Sequence, residues 1–170
     1  MRRKVRVTFP KLVQEILYKD KEYFELKKET ICNLIVEGLG FEKGLEVSFD
    51  IFDEKKSIIF SLNEKNTKYF PDMLKFSHIE EESVFLRNLF ITYANLHPSI
   101  RQKILFKNLF LQLEQATRKR KKIKIYYQGV LWEIIVIAIE RDEETGYSFL
   151  RAKSYDKEYQ FEIKYVEYIA

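Results

Sequence analysis

Between residues 98 and 127 the spacing of the apolar side chains changes from a helical period to a strand period. Pro98 can occupy the first position of a helix without losing a hydrogen bond. Apolar residues then recur at helical spacing, at Ile100, Ile104, Leu105, Leu109 and Leu113. The spacing falls to two at Ile123, Ile125 and Tyr127. The sequence therefore predicts a linking helix over 98–122 that runs directly into a strand, with a different kind of module on each side.

This junction is strongly basic. Six of the seven residues at 118–124 are cationic, namely Arg118, Lys119, Arg120, Lys121, Lys122 and Lys124. Cations near the C-terminus of a helix are favoured by its dipole, so a solvated helix end is one interpretation. A nucleic-acid contact is the other, because clustered cations are the electrostatic signature of such surfaces.

The charge of the whole chain does not decide between these interpretations. Thirty basic and 26 acidic residues leave a net charge of only +4 over 170 residues. The distribution is uneven, since the first six residues include Arg2, Arg3, Lys4 and Arg6, whereas acidic residues gather at 80–82 and 140–144. An apolar content of 46% is enough for real cores, in one domain or in two or three small ones.

Several classes of protein are excluded by what the sequence lacks. The single cysteine, Cys32, leaves no disulfide framework and no cysteine-based metal site. No apolar run approaches the roughly 20 residues of a membrane span, and no signal-peptide core follows the basic start. We therefore expect a cytoplasmic protein.

Enzyme chemistry has little support in the sequence. Only His78 and His97 could act as bases near neutral pH, and neither is paired with a nucleophile. Motifs for phosphate loops, dinucleotide binding, zinc proteases or serine hydrolases do not occur. We expect no catalysis, no cofactor and no metal.

The first 41 residues have the order strand, helix, helix. Residues 4–9 alternate, with Val5, Val7 and Phe9 on one face. Pro10 opens an apolar helical pattern, and a polar break at 18–20 and 27–28 separates it from a second helix, whose end is marked by Gly38 and Gly40.

The same order recurs at about 56–97. Ile58, Phe60 and Leu62 repeat the alternation of the first strand, and the two helical patterns repeat as well, with offsets of 53, 57 and 55 residues between equivalent positions. An internal repeat of this kind constrains the fold before any other feature. A competing prediction pairs an alternating segment at 45–51 with residues 58–62 as a hairpin.

Strand, helix, helix with a charged strand face resembles the ribbon-helix-helix family of DNA-binding proteins, and the segment Glu82–Phe90 is similar to that family's second helix. In that family two copies pair, and their strands form an antiparallel ribbon that reads the major groove. The resemblance implies that Lys4, Arg6 and Thr8 face nucleic acid. It also implies that the copies pair in a homodimer or within one chain, or that the second copy serves only as a packing partner. The second copy departs from the pattern, with Ser57, Ile59 and Ser61 on its outward face and Glu80, Glu81 and Glu82 at its helix start.

From residue 123 onward the chain is rich in strands. Apolar and aromatic runs at 123–127, 131–139, 147–153 and 159–163 are separated by turn signals at Gln128-Gly129 and at 142–146. Four or five antiparallel strands in so short a segment predict a small curved sheet or barrel.

The segment Leu113–Tyr127, followed by Gly146–Ala152, resembles the WYL-domain family. Ser148-Phe149-Leu150 matches the tripeptide that names the family, with the tryptophan replaced, while Glu162 and Tyr165 stand where the family usually has arginines. The resemblance implies an Sm-like β-barrel joined to a DNA-binding module. It also implies a regulator, or an accessory of CRISPR systems, including systems that target RNA.

These observations predict an α+β chain with five segments: copy 1 at 1–41, a connecting segment with a potential strand at 42–55, copy 2 at 56–97, the linking helix at 98–122 and the β-domain at 123–170. The predicted function is non-catalytic binding of duplex DNA, single-stranded DNA or RNA, with a protein effector as a further partner. The alternative is a protein that docks on other proteins and dimerises. The predicted contact residues are Arg2, Lys4, Arg6, Thr8, Arg118, Lys119, Arg120, Lys121, Lys122, Lys124, Tyr126, Tyr147, Arg151, Lys153 and Lys164.

Overall fold

A computed structural model describes residues 2–45 and 53–170 of the chain. The helices are α1 (Lys11–Tyr23), α2 (Lys28–Leu39), α3 (Glu64–Ser77), α4 (Glu82–Ala94), α5 (Pro98–Leu105) and α6 (Lys107–Lys119). The strands are β1 (Arg3–Pro10), β2 (Lys55–Leu62), β3 (Lys122–Tyr127), β4 (Val130–Arg141), β5 (Ser148–Ser154), β6 (Lys157–Glu162) and β7 (Val166–Tyr168). The predicted α+β class is confirmed. None of the helices in these ranges is long and apolar enough to cross a membrane.

The chain divides into two compact units, Met1–Leu96 and His97–Ala170. In the first unit the order strand, helix, helix occurs twice, and β1 pairs with β2 as a two-stranded antiparallel ribbon. The inward side chains of both strands are buried. Phe90 of α4 lies beneath the ribbon, and its ring centroid is 5.7 Å from that of Phe9 and 5.9 Å from that of Phe60. One aromatic side chain thus holds both strands to the same core.

The ribbon has an internal two-fold relation. Val5 lies opposite Phe60 and Val7 lies opposite Ile58. The repeat offset of 53 residues relates Val5 to Ile58 and Val7 to Phe60, so each of these two pairs is the repeat equivalent of the other. The axis passes between Arg6 and Ile59, which face each other. The two copies therefore pair within one chain.

The competing hairpin would pair β2 with residues 45–51; among the described residues, β2 pairs with β1. Leu45 is the last described residue of the proposed hairpin strand, and residues 46–51 of that strand lie outside the described ranges. Residues 46–52 of the connecting segment lie outside them as well.

A buried polar network joins α2 of copy 1 to the end of β2 in copy 2. The Asn33 side-chain amide donates to the carbonyls of Glu29 (2.8 Å) and Ser61 (2.9 Å). Its oxygen accepts from the backbone N–H of Asn63 (2.8 Å) and from the side-chain amide of Asn66 (3.0 Å). All four hydrogen bonds of this side chain are therefore made inside the unit.

Two helix boundaries differ from the sequence-based expectation. The predicted polar break is confirmed at 27–28, where α2 begins, but is wrong at 18–20, because α1 continues to Tyr23. Asp20 is fully buried there and accepts a hydrogen bond from the Tyr93 hydroxyl at 2.5 Å. This polar residue therefore lies in the core rather than at a helix end. The single linking helix is also wrong. The chain breaks at Phe106, with φ −124° and ψ 43°, and two helices result.

The second break reflects what each helix must contact. In α5 the side chain of the buried Gln102 donates to the Ser148 carbonyl (3.3 Å) and accepts from the Ser148 N–H (2.6 Å). It thus satisfies the backbone of β5 at its first residue, as a neighbouring strand would. In α6, Phe110, Leu113 and Ala116 are buried against the five-stranded sheet. A straight helix would not bring both faces to their partners.

The second unit contains an antiparallel sheet in the order β6-β5-β4-β3-β7. The predicted antiparallel sheet is confirmed, and Gln128-Gly129 forms the predicted tight turn, with φ of 49° and 81° at its two residues. The predicted closed barrel is wrong. After β6 the chain enters a 3₁₀ turn (Ile163–Tyr165) and then pairs with β3, so β6 and β7 remain the two edges. The Tyr127 hydroxyl accepts a hydrogen bond from the Glu162 N–H at 3.2 Å, so a side chain of β3 contacts the end of β6 although the two strands are not paired.

Candidate nucleic-acid interface

The outward side of the two-stranded ribbon is the first candidate surface. Its central part consists of Lys4, Arg6 and Thr8 from β1 and Ser57, Ile59 and Ser61 from β2, and we call these six residues the ribbon face. Lys55, at the end of β2 and opposite Pro10, is exposed on the same side. The alternation of the strands places these residues outside because Val5, Val7 and Phe9 must be buried. Ser57 links the strands, since its Oγ lies 2.6 Å from Thr8 Oγ1 and 3.4 Å from Arg6 Nη2.

The ribbon face carries two cations and no carboxylate. Lys4 and Arg6 have no ion-pair partner within residues 2–45 and 53–170. Arg3 behaves differently, because it forms an ion pair with Glu82 and its guanidinium lies 5.5 Å from the Phe70 ring centroid. The two ribbon cations thus remain available to phosphate or to base edges.

The starts of the second helices are poorly suited to phosphate. The first turn of α2 holds Glu29, and the first turn of α4 holds Glu82. Glu29 Oε2 accepts from the Ser61 N–H at 2.7 Å, so this carboxylate stands beside the ribbon end. Arg2, also predicted as a contact residue, lines the same small depression as Glu29 and Asn33. Phosphate binding at these helix starts is therefore disfavoured.

The second candidate surface is the basic turn, which we define as Arg118, Lys119, Arg120 and Lys121. These residues connect α6 to β3, and Arg120 takes the left-handed conformation with φ 48° as the C-cap of α6. All four side chains are exposed. In the described part of the chain none of them forms an ion pair. These four residues of the predicted basic run therefore form a continuous exposed cationic segment across the last turn of α6 and the connection to β3.

The third surface is the outward side of β3, β4 and β5, which we call the sheet face: Lys122, Lys124, Tyr126, Leu131, Glu133, Ile135, Arg151 and Lys153. The structure brings five predicted contact residues together here. Carboxylates are interleaved with them, however, since Lys124 lies opposite Glu133 and Lys153 lies opposite Glu158. A phosphate backbone would meet repulsion as well as attraction on this face.

Arg151 illustrates this neutralisation. It forms ion pairs with Glu158 (2.6 Å) and Glu140 (2.9 Å). The hydrogen bonds to these two carboxylates raise the pKa of Arg151 above its ordinary value. Its charge is thus compensated within the sheet.

Two predicted contact residues lie elsewhere. Tyr147 is only 2% exposed, so its prediction as a stacking platform is wrong. Gly146, with φ +80°, packs against Pro98, and the chain then directs Tyr147 into the interior at the start of β5. Lys164 lies in the 3₁₀ turn, with its ammonium 5.0 Å from the Tyr165 ring centroid.

Sequence reasoning missed a cleft in the second unit. Its volume is about 510 Å³, and α5, α6 and β4 contribute most of its lining. Lys103 and Arg141 lie there together with Arg118, which was predicted as part of the basic run. No local pattern could have revealed this group, because its members are far apart in the sequence and only the packing brings them together.

Few groups suit metal or nucleophilic chemistry. In the stretches that the structure describes, no three His, Cys, Asp or Glu side chains are grouped so that they could hold a metal ion. Burial, reinforced by the nearby Glu29 carboxylate, raises the pKa of the Cys32 thiol to about 12. A thiol that stays protonated at neutral pH is a weak nucleophile.

No protein-family model and no curated protein matches the chain. Among solved structures, the fold is similar to that in the crystal structure of a CRISPR Cas-related protein, with a TM-score of 0.65 and 12% sequence identity. The match covers 98% of this chain and 62% of that protein, so this chain spans about three fifths of its length. At this identity the likeness is one of fold.

Proposed function

We propose that this chain is a non-catalytic protein that binds duplex DNA through its ribbon face. The observation that carries the proposal is an antiparallel ribbon, formed within one chain, whose outward side presents Lys4 and Arg6 without any carboxylate. The major groove of B-DNA admits a two-stranded ribbon, and cations and hydroxyls on it can bond base edges and phosphates. The sheet face, with its interleaved carboxylates, is the weaker candidate.

Removing both ribbon cations should weaken duplex binding. In Lys4→Ala/Arg6→Ala we expect lower affinity and a salt slope reduced by about 2, because each phosphate contact contributes about 0.9 on B-DNA. Both side chains are exposed, so the melting temperature should hardly change. The measurement is fluorescence anisotropy with a labelled duplex at several salt concentrations.

The matched control is Lys19→Ala/Lys75→Ala, which removes the same charge from exposed positions late in α1 and α3. A second control is duplex RNA, whose deep, narrow major groove excludes a ribbon. Equal losses in the two double variants, or equal binding of duplex DNA and duplex RNA, would contradict the proposal.

A second candidate function is single-strand binding by the basic turn, favoured by its four consecutive exposed cations. Charge reversal at Arg120 in the turn and at Lys122 directly after it (Arg120→Glu/Lys122→Glu) should abolish this binding, since two cations are lost and two repelling charges are added. The salt dependence should fall by roughly 0.7 per lost contact. Lys107→Glu/Lys157→Glu, at exposed positions outside the turn, is the matched control. Binding that survives reversal in the turn would exclude this function.

If the wild-type chain bound no oligonucleotide at low salt, docking on other proteins would become the favoured function. The sheet face offers apolar side chains for it, because Tyr126, Leu131 and Ile135 are between 38% and 53% exposed. The intrachain pairing of the ribbon supplies both strands without a second copy. The expected homodimer therefore stays a separate prediction, which sedimentation would test.

We place this activity in a CRISPR system, as an accessory that binds nucleic acid beside an effector. The resemblance to ribbon-helix-helix and WYL proteins and the fold shared with a CRISPR Cas-related protein support this assignment. An effect of the purified chain on the nuclease rate of an RNA-targeting effector would be the direct measurement.

A further inference from the structure

The cleft of about 510 Å³ in the second unit has the size and composition of a small-molecule site. Such sites usually measure about 300–1,000 Å³ and combine an apolar surface with a few polar groups. Here the apolar part comes from Ile100, Phe110 and Ile139, and Phe110 belongs to the main core of the unit. The cleft therefore has a firm apolar wall against which a flat or sugar-like group can pack.

The polar part of the cleft is cationic. Lys103, Arg118 and Arg141 line it, against one carboxylate, Glu114. Glu114 is already bound by Lys103 at 2.6 Å, so these two charges offset each other. Arg118 and Arg141 have no carboxylate partner in the parts of the chain described here. Two arginines without a carboxylate partner thus line one concave site.

Guanidinium groups bind phosphate well because their fixed fork of donors matches phosphate oxygens in a bidentate way. A terminal phosphate monoester carries close to two negative charges at neutral pH, whereas a phosphodiester carries one. Two uncompensated arginines therefore match the terminal group better than the interior of a strand. The apolar wall would receive the nucleoside attached to it.

We propose that this cleft binds a nucleoside phosphate monoester. The ligand is either a free nucleotide or the phosphorylated end of a nucleic-acid strand, since both present the same chemistry. Arg118 belongs to the cleft and also to the basic turn, so a strand held by its end in the cleft can continue along the turn. The proposal does not depend on the ribbon face, whose residues belong to the other unit.

The first experiment is isothermal titration of the full chain with adenosine 5′-monophosphate and with adenosine. We expect the monophosphate to bind at least about tenfold more tightly, because the nucleoside lacks the charge that the arginines recognise. Arg118→Gln/Arg141→Gln should lose that tenfold advantage. Lys107→Gln/Lys157→Gln, at exposed positions outside the cleft, should retain it. Equal affinity for the two compounds, or an unchanged advantage in the arginine variant, would overturn the proposal.

The second experiment separates the two sources of the ligand. A short single-stranded RNA is titrated with a 5′-phosphate and with a 5′-hydroxyl. Tighter binding of the phosphorylated strand, lost in Arg118→Gln/Arg141→Gln, assigns the cleft to strand ends. Equal binding of the two strands, together with tight binding of the monophosphate, assigns it to free nucleotides. Failure of both the monophosphate and the phosphorylated strand would exclude the site, whatever the ribbon face binds.

Discussion

Replacement of Phe90 by alanine is expected to lower the free energy of unfolding by about 3–5 kcal/mol, the largest effect we anticipate for a single substitution. The side chain is fully buried and packs against Phe9 and Phe60, one from each strand of the ribbon. Truncation would leave a cavity beneath both strands at once. The measurement is urea denaturation followed by far-ultraviolet circular dichroism.

Two comparisons make the Phe90 experiment specific. Ile35, at the equivalent position of copy 1, is also fully buried, so its truncation should cost about 2–5 kcal/mol. Leu111 is 49% exposed on α6, and its truncation should change stability by about 0.5 kcal/mol or less. Trp132, the single tryptophan, lies in the second unit, and its fluorescence reports on that unit. A neutral Phe90→Ala would mean that copy 2 is not the packing module that the structure describes.

The second large effect is expected at Asn33. In Asn33→Leu the Asn63 N–H and the Ser61 carbonyl lose their partner, and the Asn66 side-chain amide keeps its hydrogen bond to the Asn33 carbonyl but loses the one to the Asn33 side chain. A buried polar group without a partner costs about 1–3 kcal/mol, so the variant should be destabilised by about 2–5 kcal/mol. The same urea titration measures it.

Asn88 is the internal control for Asn33, because it occupies the same position in copy 2. It is buried, yet its side-chain oxygen and nitrogen have no hydrogen-bond partner among the residues that the structure describes. The two-fold relation explains why. The position equivalent to Asn63 is Pro10, which has no N–H, and the Thr8 carbonyl accepts instead from Arg87 at 3.1 Å.

Asn88→Leu should therefore be neutral, or should raise the free energy of unfolding, since it removes a polar group whose desolvation is uncompensated. The opposite signs expected at two equivalent asparagines form the sharpest test of the internal repeat. Similar destabilisation at both positions would show that Asn88 has a partner and that the repeat geometry differs.

The sequence predicted the ribbon because a short strand must bury one face. Once Val5, Val7 and Phe9 are inside, alternation leaves Lys4, Arg6 and Thr8 outside, and the structure has this arrangement. The repeat was visible for the same reason, since equivalent elements need the same apolar spacing. Local sequence also predicted the tight turn at Gln128-Gly129 and the end of α2 at Gly40.

Local patterns misjudged residues whose role depends on distant partners. Asp20 looked like a helix break, but Tyr93 gives it a buried hydrogen bond. Tyr147 looked like an exposed aromatic, but the packing of Gly146 on Pro98 directs it inward. In each case the deciding contact lies more than 40 positions away along the chain, beyond the reach of any periodicity.

By itself the sequence determined the α+β class, the repeated order of elements and the outward cations of β1, because period and burial act within a single element. Only the tertiary structure decided that β1 pairs with β2 in the same chain, that the sheet stays open and that carboxylates share the sheet face with the lysines. It also decided that Arg118 and Arg141 line one cleft. The physical reason is that register and packing set the distances between charges, and the interaction of charges depends on those distances rather than on their order in the chain.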